Sequence, residues 1–493
     1  MHWGFEMSEG ITTYDAIVIG SGPAGRTASA ELTRAGFSVA LIESELVGGD
    51  CHYWACVPSK ALLRPSEALE EAAHIEGASQ SVGSRPVSTQ AVFARRDRFV
   101  DNWVDEKMQR SLEKAGVTVI HGRGELVGPK QVSVTPSVNS KEALLRMTAR
   151  HAVVLSTGSS TAFPEIDGLA ESNPWNSRNA TGIHEVPHSL AILGMGPVAC
   201  EMATAMSSLG TTEITIIGRE DRPLPRNEPF VGERLMQTFL SRGIKVLTNK
   251  RVLRVKRTHG RSGQFEVMLH DGSRVMADQL LVATGRKPNT DSLGLESVGL
   301  KSGEWLEVDD TCLVRGVDGG WLYAVGDINR RALLTHVGKY QARACASAII
   351  ARSKNHDASN SGGLLATSDR DYVPQVVFTN PEVAAVGLTE ARARERKVNI
   401  RVVDCDMDGI SGAALHTDGY SGHARIVVDR DRDVIIGATF VGPQVGDLLH
   451  AATVAIVGKV PISTLRHAIP CFPTVNEVWL DLLGEYEASR GNP

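Results

Sequence analysis

Tyr14-Asp15-Ala16-Ile17-Val18-Ile19-Gly20-Ser21-Gly22-Pro23-Ala24-Gly25 is a short apolar run that ends in a glycine-rich turn and leads into a helical pattern from Pro23 to Ala35. A second apolar run, Ser38 to Ile42, completes a βαβ unit. Gly20, Gly22 and Gly25 let the backbone approach a pyrophosphate, whose charge would sit at the helix N-terminus where unpaired N–H groups point. Glu43, at the end of the next strand, is placed to accept hydrogen bonds from a ribose diol. A plain strand-to-helix turn needs the same glycines, but the complete unit with Glu43 favours a dinucleotide.

The architecture occurs twice. A strand from Leu190 reaches Gly194-Met195-Gly196-Pro197-Val198-Ala199, a helix runs through Ser207, and Glu213 to Ile217 is the next strand. Gly194, Gly196 and Ala199 take the turn positions. This second strand ends Ile217-Gly218-Arg219, without an acid. Gly218 removes the carboxylate that would repel a 2′-phosphate, and Arg219 and Arg222 are placed to pair with one, which favours NADPH over NADH. The alternative for these arginines is a solvated surface turn.

With 493 residues, the chain has room for about three or four structural units. Hydrophobic residues at 42% and charged ones at 22% fit an ordered globular protein rather than a disordered one. A net charge of -5 gives no general attraction to nucleic acid or anionic lipid. No apolar run is long enough to span a membrane, and Met1 to Glu6 has neither the basic start nor the apolar stretch of a signal peptide, so a reducing cytoplasm is expected. Residues 90 to 115 read as a long solvated helix, and Val117 to Ile120 and His151 to Leu155 as further strands. Ser353 to Asp371 reads as a linker. Beyond it, strands at Gln375 to Phe378, Ala424 to Val428 and Val434 to Val441 precede helices near 444 to 457 and 475 to 488, an α+β arrangement.

Seven cysteines are too few and too scattered for a secreted disulfide scaffold. Cys51 and Cys56 stand out in Gly48-Gly49-Asp50-Cys51-His52-Tyr53-Trp54-Ala55-Cys56-Val57-Pro58-Ser59-Lys60. Ideal helical geometry holds two such Cα atoms too far apart, so a disulfide requires a bent segment. A thiolate near a helix start and near Lys60 would have a depressed pKa, as a redox thiol needs. Two buried structural thiols, or half of a metal site, are the other readings. No second cysteine pair with zinc-like spacing accompanies this one, which speaks against metal.

These stretches resemble the flavoprotein disulfide reductases, the pyridine nucleotide-disulfide oxidoreductase family that includes dihydrolipoyl dehydrogenase and mercuric reductase. The resemblance extends over nearly the whole chain. It includes Ser156-Thr157-Gly158 and Ala283-Thr284-Gly285-Arg286, similar to the family's two crossings between domains, and Tyr323-Ala324-Val325-Gly326-Asp327, similar to its second flavin motif. Phe378-Thr379-Asn380-Pro381-Glu382 and Val386-Gly387-Leu388-Thr389-Glu390 resemble the start of its dimerisation domain.

The resemblance implies an α/β fold with two Rossmann-like domains, for FAD and NAD(P), and a C-terminal α+β dimerisation domain. The expected divisions are 1-160 (FAD), 161-284 (NAD(P)), 285-355 (a central domain completing the FAD site) and 372-493 (interface). By position, FAD would be held by Gly20, Gly22, Gly25, Glu43, Gly48, Gly49, Lys60, Thr157, Gly158 and Asp327. The nicotinamide cofactor, NADP with NAD as the alternative, would meet Gly194, Gly196, Ala199, Glu201, Arg219 and Gly285. Cys56 would lie against the flavin and Cys51 would face the acceptor. Lys60 and Glu201 would pair beside the flavin N5. No resident metal is implied. A homodimer is, because the family's C-terminal pair acts across subunits. Electrons would pass from NAD(P)H through FAD to the Cys51–Cys56 disulfide and on to a small-molecule acceptor. The alternatives are a flavin-only quinone diaphorase and a non-enzymatic redox sensor.

The chain departs from the family pattern at Cys471-Phe472-Pro473-Thr474-Val475-Asn476-Glu477. Phe472 occupies the position of a histidine that, oriented by the residue matching Glu477, protonates a departing thiolate; such general acid catalysis contributes roughly 10²- to 10⁴-fold. Lipoamide or a glutathione-like disulfide should therefore be a poor substrate. His467 reads as a satisfied polar residue at a helix end rather than a replacement, and Cys471 as a buried structural thiol rather than a third redox group. Asp50 replaces the usual threonine of the glycine loop, placing a carboxylate that needs a compensating cation or the fold itself.

Overall fold

The computed structural model describes residues 11–83, 86–136, 144–258, 263–358 and 364–489. The amino-terminal segment read for a signal peptide, part of the presumed linker and the last four residues lie outside them. The chain divides into two compact units, one of Met1–Val57, Val100–Ser160 and Arg286–Arg370, the other of Pro58–Phe99, Thr161–Gly285 and Asp371–Pro493.

The first unit is built on the strand Thr12–Ile19, which pairs in parallel with Val39–Glu43 on one side and Leu145–Leu155 on the other. Val117–Gly128 and Leu322–Ala324 extend this parallel sheet at its two ends. Gln131–Pro136 pairs antiparallel with the long strands Val117–Gly128 and Leu145–Leu155. Ala16, Ile17 and Val18 are completely buried, as expected of a central strand covered on both faces. The helix Pro23–Arg34 turns Ala24, Ala28 and Leu32 inward, against Ala342, Cys345, Ala346 and Ile349 of the helix Thr335–Ser353. Leu32→Ala would open a cavity there, at a cost of about 2–5 kcal/mol.

The second unit holds the second βαβ copy: Gln279–Val282, Ser189–Leu193, Glu213–Ile217 and Lys245–Leu247 lie side by side, all parallel. A separate antiparallel sheet runs Val252–Arg257, Phe265–Leu269, Arg274–Ala277. The C-terminal part is a five-stranded antiparallel sheet ordered Gln375–Val377, Glu382–Gly387, Val434–Gly442, His423–Asp429, Ile400–Asp406, with the helices Leu449–Val457 and Val478–Ser489 packed on it. The fold class is that expected from the sequence. The strands Glu382–Gly387 and Ile400–Asp406, however, are additions to that reading.

Two local expectations fail. The stretch 90 to 115 is not one solvated helix: Thr89–Phe99 and Glu106–Lys114 are separated at Asp101, Asn102 and Trp103, all with positive φ. Arg96 is completely buried, its Nη1 donating to the carbonyls of Thr181 (2.7 Å) and Ile183 (2.8 Å). Nor is Ser353 to Asp371 a solvated linker where it is described. Ala358, Ala366 and Asp369 are buried, and the Asp369 carboxylate accepts from Gln341 and pairs with Arg331. Polar composition suggests a linker, but these polar groups face inward partners.

Candidate active site

Cys51 lies in the short helix Gly49–Tyr53, which stops at Trp54 (φ -136°, ψ 0°) before the helix Cys56–Ala73 begins. This interruption supplies the bend that an ideal helix would deny the pair. Both are free thiols in the structure. The two sulfurs are within hydrogen-bonding reach of each other, and Thr335 reaches both: its hydroxyl donates to Cys51 Sγ at 2.9 Å and lies 3.4 Å from Cys56 Sγ. Nothing in the sequence points to Thr335, which belongs to a helix far along the chain.

The expectation of a depressed thiol pKa fails for Cys51. Its hydrogen bond with Cys56, then burial, then the Cys56 charge push it up, against the Thr335 hydroxyl and the charge of Arg26. A negative charge on Cys56 therefore opposes a second one on Cys51.

Around the first glycine turn, Gly20 has φ +99°, and a Cβ there would stand 2.5 Å from the Ser156 carbonyl oxygen. Only glycine fits this approach of two strands. A Cβ at Gly22 or Gly158 would meet nothing within 4 Å, and the helix that Gly22 opens has no side-chain cap. This open, uncapped turn suits a phosphate. Glu43 accepts from Ser21 N (2.9 Å), Ser21 Oγ (2.6 Å) and Glu45 N (2.9 Å), which fixes the carboxylate and leaves lone pairs for a diol. These residues fit the adenosine end of FAD. Gly194 repeats the geometry in the second unit, with φ +115° and a Cβ position 2.3 Å from the Ala283 oxygen, and Gly196 again opens into free space at an uncapped helix. Ala199 is buried in the adjoining core.

Asp50 has its compensating cation. Arg286 Nη2 stands 3.4 Å from the Asp50 carboxylate, and Arg286 also bonds Ser159 and lies 3.6 Å from Asp327. Asp327 accepts from Ser159 Oγ at 2.6 Å, and burial pushes its carboxyl above the ordinary range. The four residues form one connected polar group in the first unit.

In the second unit, Lys60 Nζ is 2.6 Å from Glu201 Oε2, and the other Glu201 oxygen accepts from the Phe378 backbone N at 3.0 Å. Glu201 is buried, while the Lys60 ammonium remains partly accessible above the Phe378 ring. At the second dinucleotide turn the two arginines separate. Arg222 is paired with Asp221 and its stem packs at Gly232, whereas Arg219 is exposed. Gly218 has a packing reason as well: a Cβ there would strike the Met195 side chain at 2.4 Å.

In the C-terminal part, His467 is exposed just beyond the helix Ile462–Leu465. Cys471 is exposed on the single chain as well, within the segment 373–482. Phe472 is 75% exposed on the chain. Glu477, the expected partner of an imidazole, accepts from the Gly412 backbone N at 3.2 Å. Among the described residues no cluster of His, Cys, Asp or Glu could hold a metal ion, and no helix is long and apolar enough to cross a membrane.

Comparison with known proteins gives the family. Mercuric reductase of Staphylococcus aureus is 30% identical over 94% of this chain and 81% of its own length. Dihydrolipoyl dehydrogenase of Chlamydia trachomatis is 29% identical over 95% of this chain and 96% of its own. Among solved structures, the Cu(II) complex of the HOCl-induced flavoprotein disulfide reductase RclA from Escherichia coli superposes with a TM-score of 0.82 at 24% identity, covering 96% of this chain and 99% of that one. LpdA from Mycobacterium tuberculosis gives 0.80 at 24% identity, covering 97% and 100%. Residues 373–482 match the dimerisation domain of the pyridine nucleotide-disulphide oxidoreductases, and residues 14–342 match their main domain: the chain belongs to this family of FAD- and NAD(P)H-dependent enzymes.

Proposed function

We propose that the protein moves electrons from NADPH, through FAD, to the Cys51–Cys56 pair and on to a thiophilic acceptor, a soft metal ion in preference to a disulfide. The observation that carries this reading is the bent segment that brings both thiols to the Thr335 hydroxyl. FAD, when bound, would supply the two-electron relay between the reduced nicotinamide and the disulfide. Gly20, Gly22, Glu43, Gly158 and Asp327 would hold it, and Lys60, fixed by Glu201, would offer it an ammonium. Arg219 is the residue that would meet a 2′-phosphate.

At the acceptor, the two thiols lose two protons and two electrons and become a disulfide. The electrons reduce one two-electron ion or two one-electron ions, and the protons pass to water. No thiolate leaving group has to be protonated, so the missing imidazole at Phe472 costs nothing in this reaction. Reduction of a disulfide would lack its acid catalyst. The relatives named for mercuric ion and crystallised with Cu(II) support the same class of acceptor. The exposed Phe472, Ile469 and Leu480, within the segment that matches a dimerisation domain, support a homodimer.

Anaerobic titration with NADPH, followed by the flavin spectrum, tests the reading. Uptake of two electron pairs per chain is expected in the native protein, and of one pair in Cys51→Ser. Flavin bleaching after a single pair in the native protein would reject the dithiol route in favour of a flavin-only diaphorase.

A further inference from the structure

Gln341 is completely buried in the helix Thr335–Ser353, and both ends of its amide are engaged. Its Oε1 accepts from the Gly326 backbone N at 2.8 Å and from Asn329 Nδ2 at 2.9 Å. Its Nε2 donates to Asp369 Oδ2 at 2.8 Å and, at 3.5 Å, to Asn329 Oδ1. The sense of the amide is thereby fixed, because the oxygen faces two N–H donors and the nitrogen faces a carboxylate. A buried amide satisfied in this way is rigid, and changing one partner strands a donor or an acceptor.

The two donors to its oxygen belong to one turn. Gly326, with φ +80°, opens the short helix Asp327–Asn329, and Asn329 closes it, its Nδ2 also donating to the Ala324 carbonyl at 3.1 Å. Asp327, the residue proposed to meet the flavin, lies between them. The helix Thr335–Ser353 can press on this turn because Gly338, one turn before Gln341, has no side chain: a Cβ there would stand 3.3 Å from the Gly326 Cα. On the far side of the amide, Asp369 Oδ1 is 2.8 Å from Arg331 Nη2. Arg331 also bonds the carbonyls of Asp309 and Ala366 and the carboxylate of Asp310. The carboxylate that orients Gln341 is thus itself held in place.

The same helix begins at Thr335, whose hydroxyl reaches both sulfurs of the Cys51–Cys56 pair. A rise of about 1.5 Å per residue puts Gln341 about 9 Å along the axis from it. We propose that Gln341, oriented by Asp369, is a positioning residue for FAD: it locks the turn that carries Asp327 to the helix whose first residue touches the redox thiols, so that flavin and thiols are held in one register. This role presupposes that Asp327 meets FAD, as proposed above.

The test is the rate of FAD release from diluted holoprotein, read as the rise in flavin fluorescence, with thermal unfolding of each variant beside it. Gln341→Glu sets a second carboxylate against Asp369, and Asp369→Asn turns an amide nitrogen toward either Gln341 or Arg331. Each is expected to release FAD at least about tenfold faster. The double variant Gln341→Glu/Asp369→Asn exchanges donor and acceptor across the same 2.8 Å contact, and is expected to return release to within about threefold of native. Native release in both single variants, or two losses with no recovery in the double variant, overturns the inference. So does a lowered melting temperature with native release, which would assign the amide to stability alone. Where Gln341→Glu does not fold, Gln341→Met, of similar length and without the amide, takes its place among the single variants, and recovery in the double variant still decides. Asp327→Ala with native FAD release would overturn instead the reading of Asp327 beneath it.

Discussion

The Thr335 hydroxyl donates to the Cys51 sulfur across 2.9 Å, although 284 positions separate the two residues. A donor aimed at sulfur stabilises thiolate more than thiol, and a hydrogen bond to a charged group is worth about 1.5–3 kcal/mol. Thr335→Val keeps the shape and removes the donor. Turnover of the thiophilic acceptor is expected to fall on the order of tenfold, while Thr335→Ser stays near native. Steady-state rates with both variants check this; equal loss in the two would point to packing instead.

Arg286 stands between two carboxylates, Asp50 and Asp327. Arg286→Ala leaves them facing each other uncompensated, and FAD should be retained less well. The loss is expected to deepen with pH, because Asp327, held up by burial and by the charge of Asp50, ionises later than an ordinary carboxylate once the cation is gone. Adding Asp50→Thr should restore part of the retention. The flavin-to-protein absorbance ratio after gel filtration, measured on both single variants and the double, gives the coupling.

Arg219 is the exposed cation after the strand Glu213–Ile217, and Arg222 is engaged with Asp221. Arg219→Ala should raise KM for NADPH on the order of tenfold and leave KM for NADH unchanged, since a phosphate contact is worth about 1.5–3 kcal/mol. Arg222→Ala should shift the ratio less. A native preference for NADH would reject the assignment.

What is legible in the sequence is local. Each βαβ unit, from Tyr14 to Glu43 and from Leu190 to Ile217, carries its glycines, apolar runs and terminal residue within a short span, and the cysteine pair is six consecutive residues. Groups joined only by the fold are not legible. Thr335 carries no local signal for the thiols it serves, and Arg286 looks like part of a crossing between domains rather than the partner of Asp50. The helix break at Asp101 to Trp103 is hidden because Asp101, Asn102 and Trp103 adopt positive φ without a glycine to announce it. Asp369 looks solvated because composition does not reveal that Gln341 and Arg331 await it.

Glu382 makes a last prediction, on stability. Its carboxylate accepts from Gly446 N at 3.1 Å, but burial, with the charges of Glu67, Asp447 and Glu71, pushes its pKa from 4.5 to about 7. The folded protein thus binds this proton more tightly than the unfolded chain does. The stabilisation from the neutral form is fully present below about pH 4.5 and is lost as pH rises through about 7. A glutamine at this position would keep an acceptor for Gly446 and never take a charge. Glu382→Gln should therefore melt close to the native protein near pH 5 and above it near pH 8, with the difference growing between the two. Thermal unfolding followed by circular dichroism at both pH values measures that difference. A constant offset at the two values would show that Glu382 does not titrate in this range, and that Gly446 and the surrounding water hold its charge better than the burial implies.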